Sequence, residues 1–148
     1  MLEMDQRTKK LVAELIPPAQ EVMNRMLEIA YANGLNMQCH SGYRSPEDQD
    51  KLYALGRSEA GKIVTNAKGG QSTHNYRLAG DFHFVDKKGD IVWDEKLYKK
   101  IWTLIKPILE PKGLRWAGNW KKFKETAHFE YNPQDLTWKD LQKKNPYA

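Results

Sequence analysis

The sequence predicts an α+β fold in which a small antiparallel sheet is flanked by helices, and three observations predict it. Apolar residues recur at helical spacing in the first third of the chain and again over 97–108, while the remaining apolar runs are short, strand-like and mostly adjacent. Two of those runs face each other across Lys87-Lys88-Gly89-Asp90, which reads as a β-hairpin. No repeat or low-complexity tract interrupts the pattern, so helices should pack against a sheet of sequence neighbours. At 148 residues the chain is expected to form one domain, 1–148, with a core large enough to fold without disulfides.

Val12, Leu15 and Ile16 suggest a short opening helix closed by Pro17-Pro18, the second proline taking the first position of the next helix. Val22, Met26, Ile29 and Ala30 continue that helix to Gly34, a C-terminal cap. A strand is expected over 35–40, then a helix with Ser45 as cap, Pro46 at its first position and early acids, running through Leu52 and Leu55 to Gly56. Residues 56–73 are rich in Gly, Ser, Lys and Asn and read as a long ordered loop, of the kind that tends to be functional. The hairpin takes 79–85 and 91–93. Asp94 caps a helix carrying Leu97, Ile101, Leu104, Ile105 and Ile108, with Pro107 restricting its last turn and Gly113 beyond it. Short strands over 114–116 and 127–131 flank a Gly118-Asn119 loop, and Thr137 to Asp140 cap a closing helix.

Lys and Arg number 24 against 19 Asp and Glu, a net charge of +5 that favours polyanions such as nucleic acid or a bacterial wall. The excess lies in dispersed lysine pairs, which a solvated surface explains better than a binding stripe, and aromatics and lysines form no recognisable nucleic-acid motif. Cys39 is the only cysteine, which excludes an internal disulfide and a thiolate-rich zinc finger. The first ten residues are polar and charged, and no run is long enough to span a bilayer, so cytoplasmic synthesis without a signal peptide, no stable membrane association and a monomer are expected.

With thiolates absent, any metal must be held by histidine and carboxylate. Ser72-x-His74 closes the long loop, Asp81 follows seven residues after His74, and Glu125-Thr126-Ala127-His128 leads into the last strand. A catalytic zinc needs three protein ligands and one open position, and a carboxylate beside it serves as proton acceptor for water. His74, Asp81 and His128 can meet the first need and Glu125 the second. Each half of the pattern also arises by chance, so hydrogen-bonded structural histidines stay open at this point.

Six motifs then appear in order: Gly42-Tyr43-Arg44-Ser45, Leu52-Tyr53-Ala54-Leu55-Gly56-Arg57, Ile63-Val64-Thr65-Asn66-Ala67, Ser72-x-His74-Asn75-Tyr76, Ala79-x-Asp81-Phe82 and Trp120-Lys121-x-Phe123-Lys124-x-x-x-His128-Phe129. Together they resemble the L-alanyl-D-glutamate endopeptidases of phage endolysins and bacterial wall remodelling, relatives of the D-alanyl-D-alanine carboxypeptidases and dipeptidases, with a Hedgehog-like fold. The resemblance implies a single zinc peptidase domain acting on peptidoglycan stem peptides, with Zn²⁺ on His74, Asp81 and His128 and the family's acidic base at Glu125. It also implies that Arg44 stabilises the oxyanion, against a bland reading in which it pairs with Glu47 or Asp48. Ser72 would sit beside the metal, or else only shape a turn.

Three departures stand out. Arg77 replaces the pattern's glycine and is strained if that position needs a positive φ. Glu125 stands where the endopeptidase branch more often has aspartate, which leaves carboxypeptidase or dipeptidase activity as the alternative. Gly80 occupies a place usually held by a larger apolar residue, which weakens the strand. Strand alternation also puts His83 on the face of Asp81 and Glu130 on that of His128, both read as supporting or substrate-facing. Cys39 is read as core and His40 as surface or cleft rim. The expected activity is that of an endolysin-type peptidoglycan hydrolase released through a holin, and an inactive wall-binding module is its rival.

Overall fold

The computed structural model describes every residue except Phe123, so that member of the sixth motif lies outside the described residues. Asp5 caps α1 (Gln6–Ala13) by accepting the Thr8 amide at 2.7 Å. Both Pro17 and Pro18 begin α2 (Pro17–Ala32), one residue earlier than expected, because neither of the first two helical positions has an N–H to lose. The helix ends on Gly34 at φ +73, where the Leu35 amide folds back onto the Ala30 carbonyl at 2.9 Å. Leu35 is thus spent on the turn, and β1 (Met37–Ser41) starts two residues later than the expected strand.

Ser45 caps α3 (Pro46–Ala54), whose chain then runs without helix or strand through a long loop to a single 3-10 turn, Thr73–Tyr76. The hairpin β2 (Ala79–Val85) and β3 (Ile91–Val92) follows, then α4 (Glu95–Leu109), β4 (Leu114–Trp116), β5 (His128–Tyr131) and α5 (Trp138–Lys143). The five strands form one antiparallel sheet in the order β1-β2-β5-β4, with β3 also on β2. This is the α+β arrangement the sequence predicts. No helix among the described residues is long and apolar enough to cross a membrane.

Alternation along the strands separates two faces. Phe82, Phe84 and Phe129 point into a core built with Met23, Met26 and Leu27 of α2 and Ile101 and Ile105 of α4. The Tyr98 hydroxyl, buried there, donates to the Phe82 carbonyl at 2.7 Å. The opposite face carries Asp81 and His83 of β2, His128 and Glu130 of β5, and Arg115 of β4. Asp81 is registered against His128, and Glu130 against Ala79 and Arg115, so pairing alone gathers the polar groups of two strands distant in sequence.

Gly80 has a packing reason that the sequence did not reveal. A Cβ there would lie 2.9 Å from Cε1 of Phe82, so the aromatic ring already fills the space of the expected larger residue. Arg77 does sit in the left-handed region, at φ 62 and ψ 34, ending the 3-10 turn. Its side chain turns away from the cleft, donating to the Glu14 carbonyl at 2.8 Å and lying 3.8 Å over the Tyr43 ring. Those contacts offset the roughly 1–2 kcal/mol that a side chain costs in this conformation.

Candidate metal centre

Three local devices bring His74 to the sheet. The Ser72 hydroxyl caps the 3-10 turn by accepting the His74 amide at 3.2 Å. Asn75, buried, accepts the amides of Gly70 and Ser72 through Oδ1 and donates to the Arg44 carbonyl at 3.0 Å. The Arg44 amide in turn donates to the His74 carbonyl at 3.0 Å, so the turn and the 42–44 segment are stitched together. On the other side, Glu125 and His128 approach along a loop held by the Trp116 indole, which donates to the Thr126 carbonyl at 2.7 Å.

His74 Nε2, Asp81 Oδ1 and His128 Nδ1 close a triangle whose three edges are each 3.2 Å. Tetrahedral zinc with nitrogen and oxygen ligands at ~2.0–2.1 Å places those atoms roughly 3.3 Å apart, so the donor set fits that ion. The outer ring nitrogens define how the histidines are presented. His74 Nδ1 lies 2.8 Å from the Gly42 carbonyl, and His128 Nε2 lies 2.7 Å from Glu130 Oε1. With each outer nitrogen donating to its acceptor, both inner nitrogens turn lone pairs toward Asp81, an arrangement that suits a cation. Both histidines are buried, while the Asp81 side chain keeps 20% of its surface open to the cleft.

The electrostatics make the same demand. Burial works against charge on His128, yet its hydrogen bonds to Asp81 and Glu130 and their charges prevail, pushing the imidazole up to about 10. Burial likewise raises Asp81 and Glu130, but the histidines outweigh it and hold Asp81 well below the usual carboxylate range and Glu130 below its own. A buried pocket that stabilises a proton between two carboxylates will stabilise a divalent cation there.

Glu130 is a support for His128 rather than a fourth corner of the triangle. Thr73 Oγ1 donates to its Oε1 at 3.0 Å and Asn132 Nδ2 to its Oε2 at 2.9 Å. Glu130→Gln should weaken zinc affinity about 10–100-fold, because the amide would turn its NH₂ toward one of these donors and accept less well from the imidazole. Competition with a chelator measures this, and unchanged affinity would show that His128 needs no such partner.

Arg44 makes no ion pair with Glu47 or Asp48 among the described residues. Its guanidinium donates to Gln49 Oε1 at 2.8 Å and Ser41 Oγ at 3.0 Å and lines the cleft. Gln49 is fully buried, and its amide donates to the Ala67 carbonyl at 2.9 Å, tying Arg44 to the long loop. Sequence reading passed over Gln49 within the charged run 47–51. Its place one helical turn before Leu52, on the inward side of α3, is the signal that could have found it. Thr73 and Asn75 were also missed, since they act on Glu130 and Arg44 across 57 and 31 residues, and so was Asn132, although it stands only two residues from the carboxylate it holds.

Glu125 sits at the rim, its side chain 62% exposed and its Oε2 3.8 Å from His128 Nδ1. His83 does not reach the triangle and pairs instead with His40, Nδ1 to Nδ1 at 3.0 Å. Cys39 is core as expected: burial pushes its thiol up to about 12, and it stays protonated. The triangle opens into a cleft of about 1340 Å³ whose apolar lining includes Leu55 at the end of α3, Ile63 and Val64 of the long loop, and Trp120, Leu136 and Trp138 from the last third of the chain.

Residues 65–131 match the D-alanyl-D-alanine carboxypeptidase family. The chain is 36% identical over 126 residues to the peptidoglycan L-alanyl-D-glutamate endopeptidase CwlK of Bacillus subtilis, covering 82% of this chain and 75% of that protein. Its fold is that of the L-Ala D-Glu endopeptidase ChiX of Serratia marcescens, with 20% identity and a TM-score of 0.65 over 95% of this chain and 94% of that one. DacB of Streptococcus pneumoniae matches at 22% identity and a TM-score of 0.62, covering 91% and 74%. A vancomycin-resistance D,D-pentapeptidase, VanY, solved with Zn(II), matches at 19% identity and a TM-score of 0.54, covering 79% and 72%.

Proposed function

Because the chain belongs to the D-alanyl-D-alanine carboxypeptidase family of zinc-dependent peptidoglycan peptidases, we propose that it is an L-alanyl-D-glutamate endopeptidase whose single domain, 1–148, cuts wall stem peptides. The observation that carries the reading is the equilateral triangle of His74, Asp81 and His128 beneath an open cleft, with a carboxylate at its rim. In this reading those three residues hold zinc, which supplies a Lewis acid that polarises the scissile carbonyl and activates water.

The chain's own groups do the rest. Glu125 accepts the proton of the attacking water and returns it to the departing amine. Arg44, fixed by Gln49 and Ser41, presents its guanidinium to the oxygen on which negative charge develops. Ser72 contributes by holding His74 in place through its cap, and its position on the cleft wall leaves it beside the substrate.

We further read the protein as a monomeric enzyme of the endolysin type, reaching the wall through holin-type release, with its net charge of +5 favouring anionic wall polymers. A second reading, carboxypeptidase or dipeptidase action on D-alanyl-D-alanine, is favoured by Glu125 in the base position. Mass spectrometry of digested muropeptides separates the two. Products split between L-alanine and D-glutamate are expected; loss of terminal D-alanine would select the second reading, and intact muropeptides would leave an inactive wall-binding module.

A further inference from the structure

The sheet face that carries Asp81 continues into aromatic surface that the metal centre does not use. His83 lies two residues beyond Asp81 on β2, and a bulge in β1 between Cys39 and Ser41 sets His40 beside it. Trp93, just past β3, stands edge-on to His40 with ring centroids 5.2 Å apart at 88°, and 5.8 Å from His83. The Trp93 residue is 56% exposed, and Ile91, registered against Val85 on the same face, is 54% exposed. Of the other exposed large apolar residues among those described, Ile63, Val64 and Trp120 line the cleft, so this patch is a separate place where such surface gathers. It is not built for an anion, since the nearby Arg7 guanidinium is engaged by the His40 carbonyl at 2.8 Å.

The geometry points to this patch as a binding site for the amino-sugar strand of peptidoglycan, an inference that rests on the endopeptidase reading above. In a stem peptide the L-alanine is joined through a lactyl ether to the sugar. With the L-alanyl-D-glutamate bond over the metal centre, only one residue, ~3.5 Å of chain, and the lactyl group separate the reacting carbonyl from the sugar. His83 lies ~7 Å along the strand from Asp81, so a sugar leaving the metal centre in that direction meets the patch. Cleavage of D-alanyl-D-alanine would insert three more residues, ~10 Å, and carry the sugar past it. The chemistry matches: a pyranose offers an apolar C–H face to an exposed indole. Its hydroxyl and N-acetyl groups meet the partly exposed His40, whose Nδ1 lies 3.0 Å from Nδ1 of the buried His83 that backs it.

Two measurements on the full chain test this. The first compares kcat/KM for a muramoyl-linked stem peptide with that for the same peptide lacking sugar. The ratio should be about tenfold in the wild type, the size of one good aromatic contact, and should fall toward one in Trp93→Ala. A wild-type ratio near one, or a ratio unchanged in the variant, overturns the inference. The second follows binding of peptide-free N-acetylglucosamine–N-acetylmuramic acid oligosaccharides by equilibrium dialysis, expected to weaken about tenfold in Trp93→Ala. No binding to the wild type overturns the sugar site whatever the hydrolysis assay shows. Self-association that disappears in Trp93→Ala, with no effect on sugar, overturns it in favour of a second copy of the chain. If neither peptide is cut yet the oligosaccharides bind through Trp93, the endopeptidase reading falls and the sugar site stands.

Discussion

His128→Ala is expected to leave a folded protein that neither retains zinc nor hydrolyses peptidoglycan. His128 Nδ1 closes two of the three 3.2 Å edges of the proposed ligand triangle, so its loss leaves only the His74–Asp81 pair. Two ligands do not hold a catalytic zinc, and the loss of affinity should exceed the ~10–100-fold that removal of a supporting partner costs. His74→Ala should behave alike, because its imidazole supplies the corner delivered by the long loop. The fold should survive, since neither ring belongs to the apolar core beneath the sheet. Metal analysis after dialysis, with circular dichroism as the check on folding, measures the outcome. Full zinc content in either folded variant would remove that residue from the ligand set.

How much of this was legible in the sequence depends on the range of the contacts involved. Helix signals were local and easily read: Ser45 with Pro46, Asp94 and Thr137 each cap the helix expected of them. The errors are local too. The Leu35 amide turns back onto α2 and delays β1, and the chain between Ser72 and Arg77 folds into a 3-10 turn at the end of what reads as loop. The residue types and spacing of His74, Asp81 and His128 were visible, but the Asp81–His128 register that joins them is a property of the sheet. Glu130 was visible as a support for His128 from strand alternation, but what holds the supports was not: Gln49 acts across 18 residues to Ala67, and Thr73 and Asn132 hold the Glu130 carboxylate. His83 was placed on the correct face, yet only the β1 bulge explains why its partner is His40.

Glu125→Gln should separate chemistry from metal binding. The carboxylate is no corner of the triangle: its Oε2 lies 3.8 Å from His128 Nδ1, and its side chain is 62% exposed. Zinc content should therefore match the wild type, while turnover falls roughly 10²–10⁴-fold, the usual worth of a positioned general base. The amide keeps the volume and the hydrogen-bonding reach but cannot take the water's proton, so KM should move much less than kcat. Glu125→Asp is informative in the other direction. It shortens the side chain to the form more common among endopeptidases, and the loop has room because its anchors are the Glu125 amide on the Ala117 carbonyl and the Trp116 indole on the Thr126 carbonyl. Substantial activity in Asp and none in Gln marks a proton acceptor, whereas loss in both with zinc intact marks a demand for the longer reach. Wild-type turnover in Glu125→Gln would remove this residue from proton transfer and send the search for a base to another group on the cleft wall.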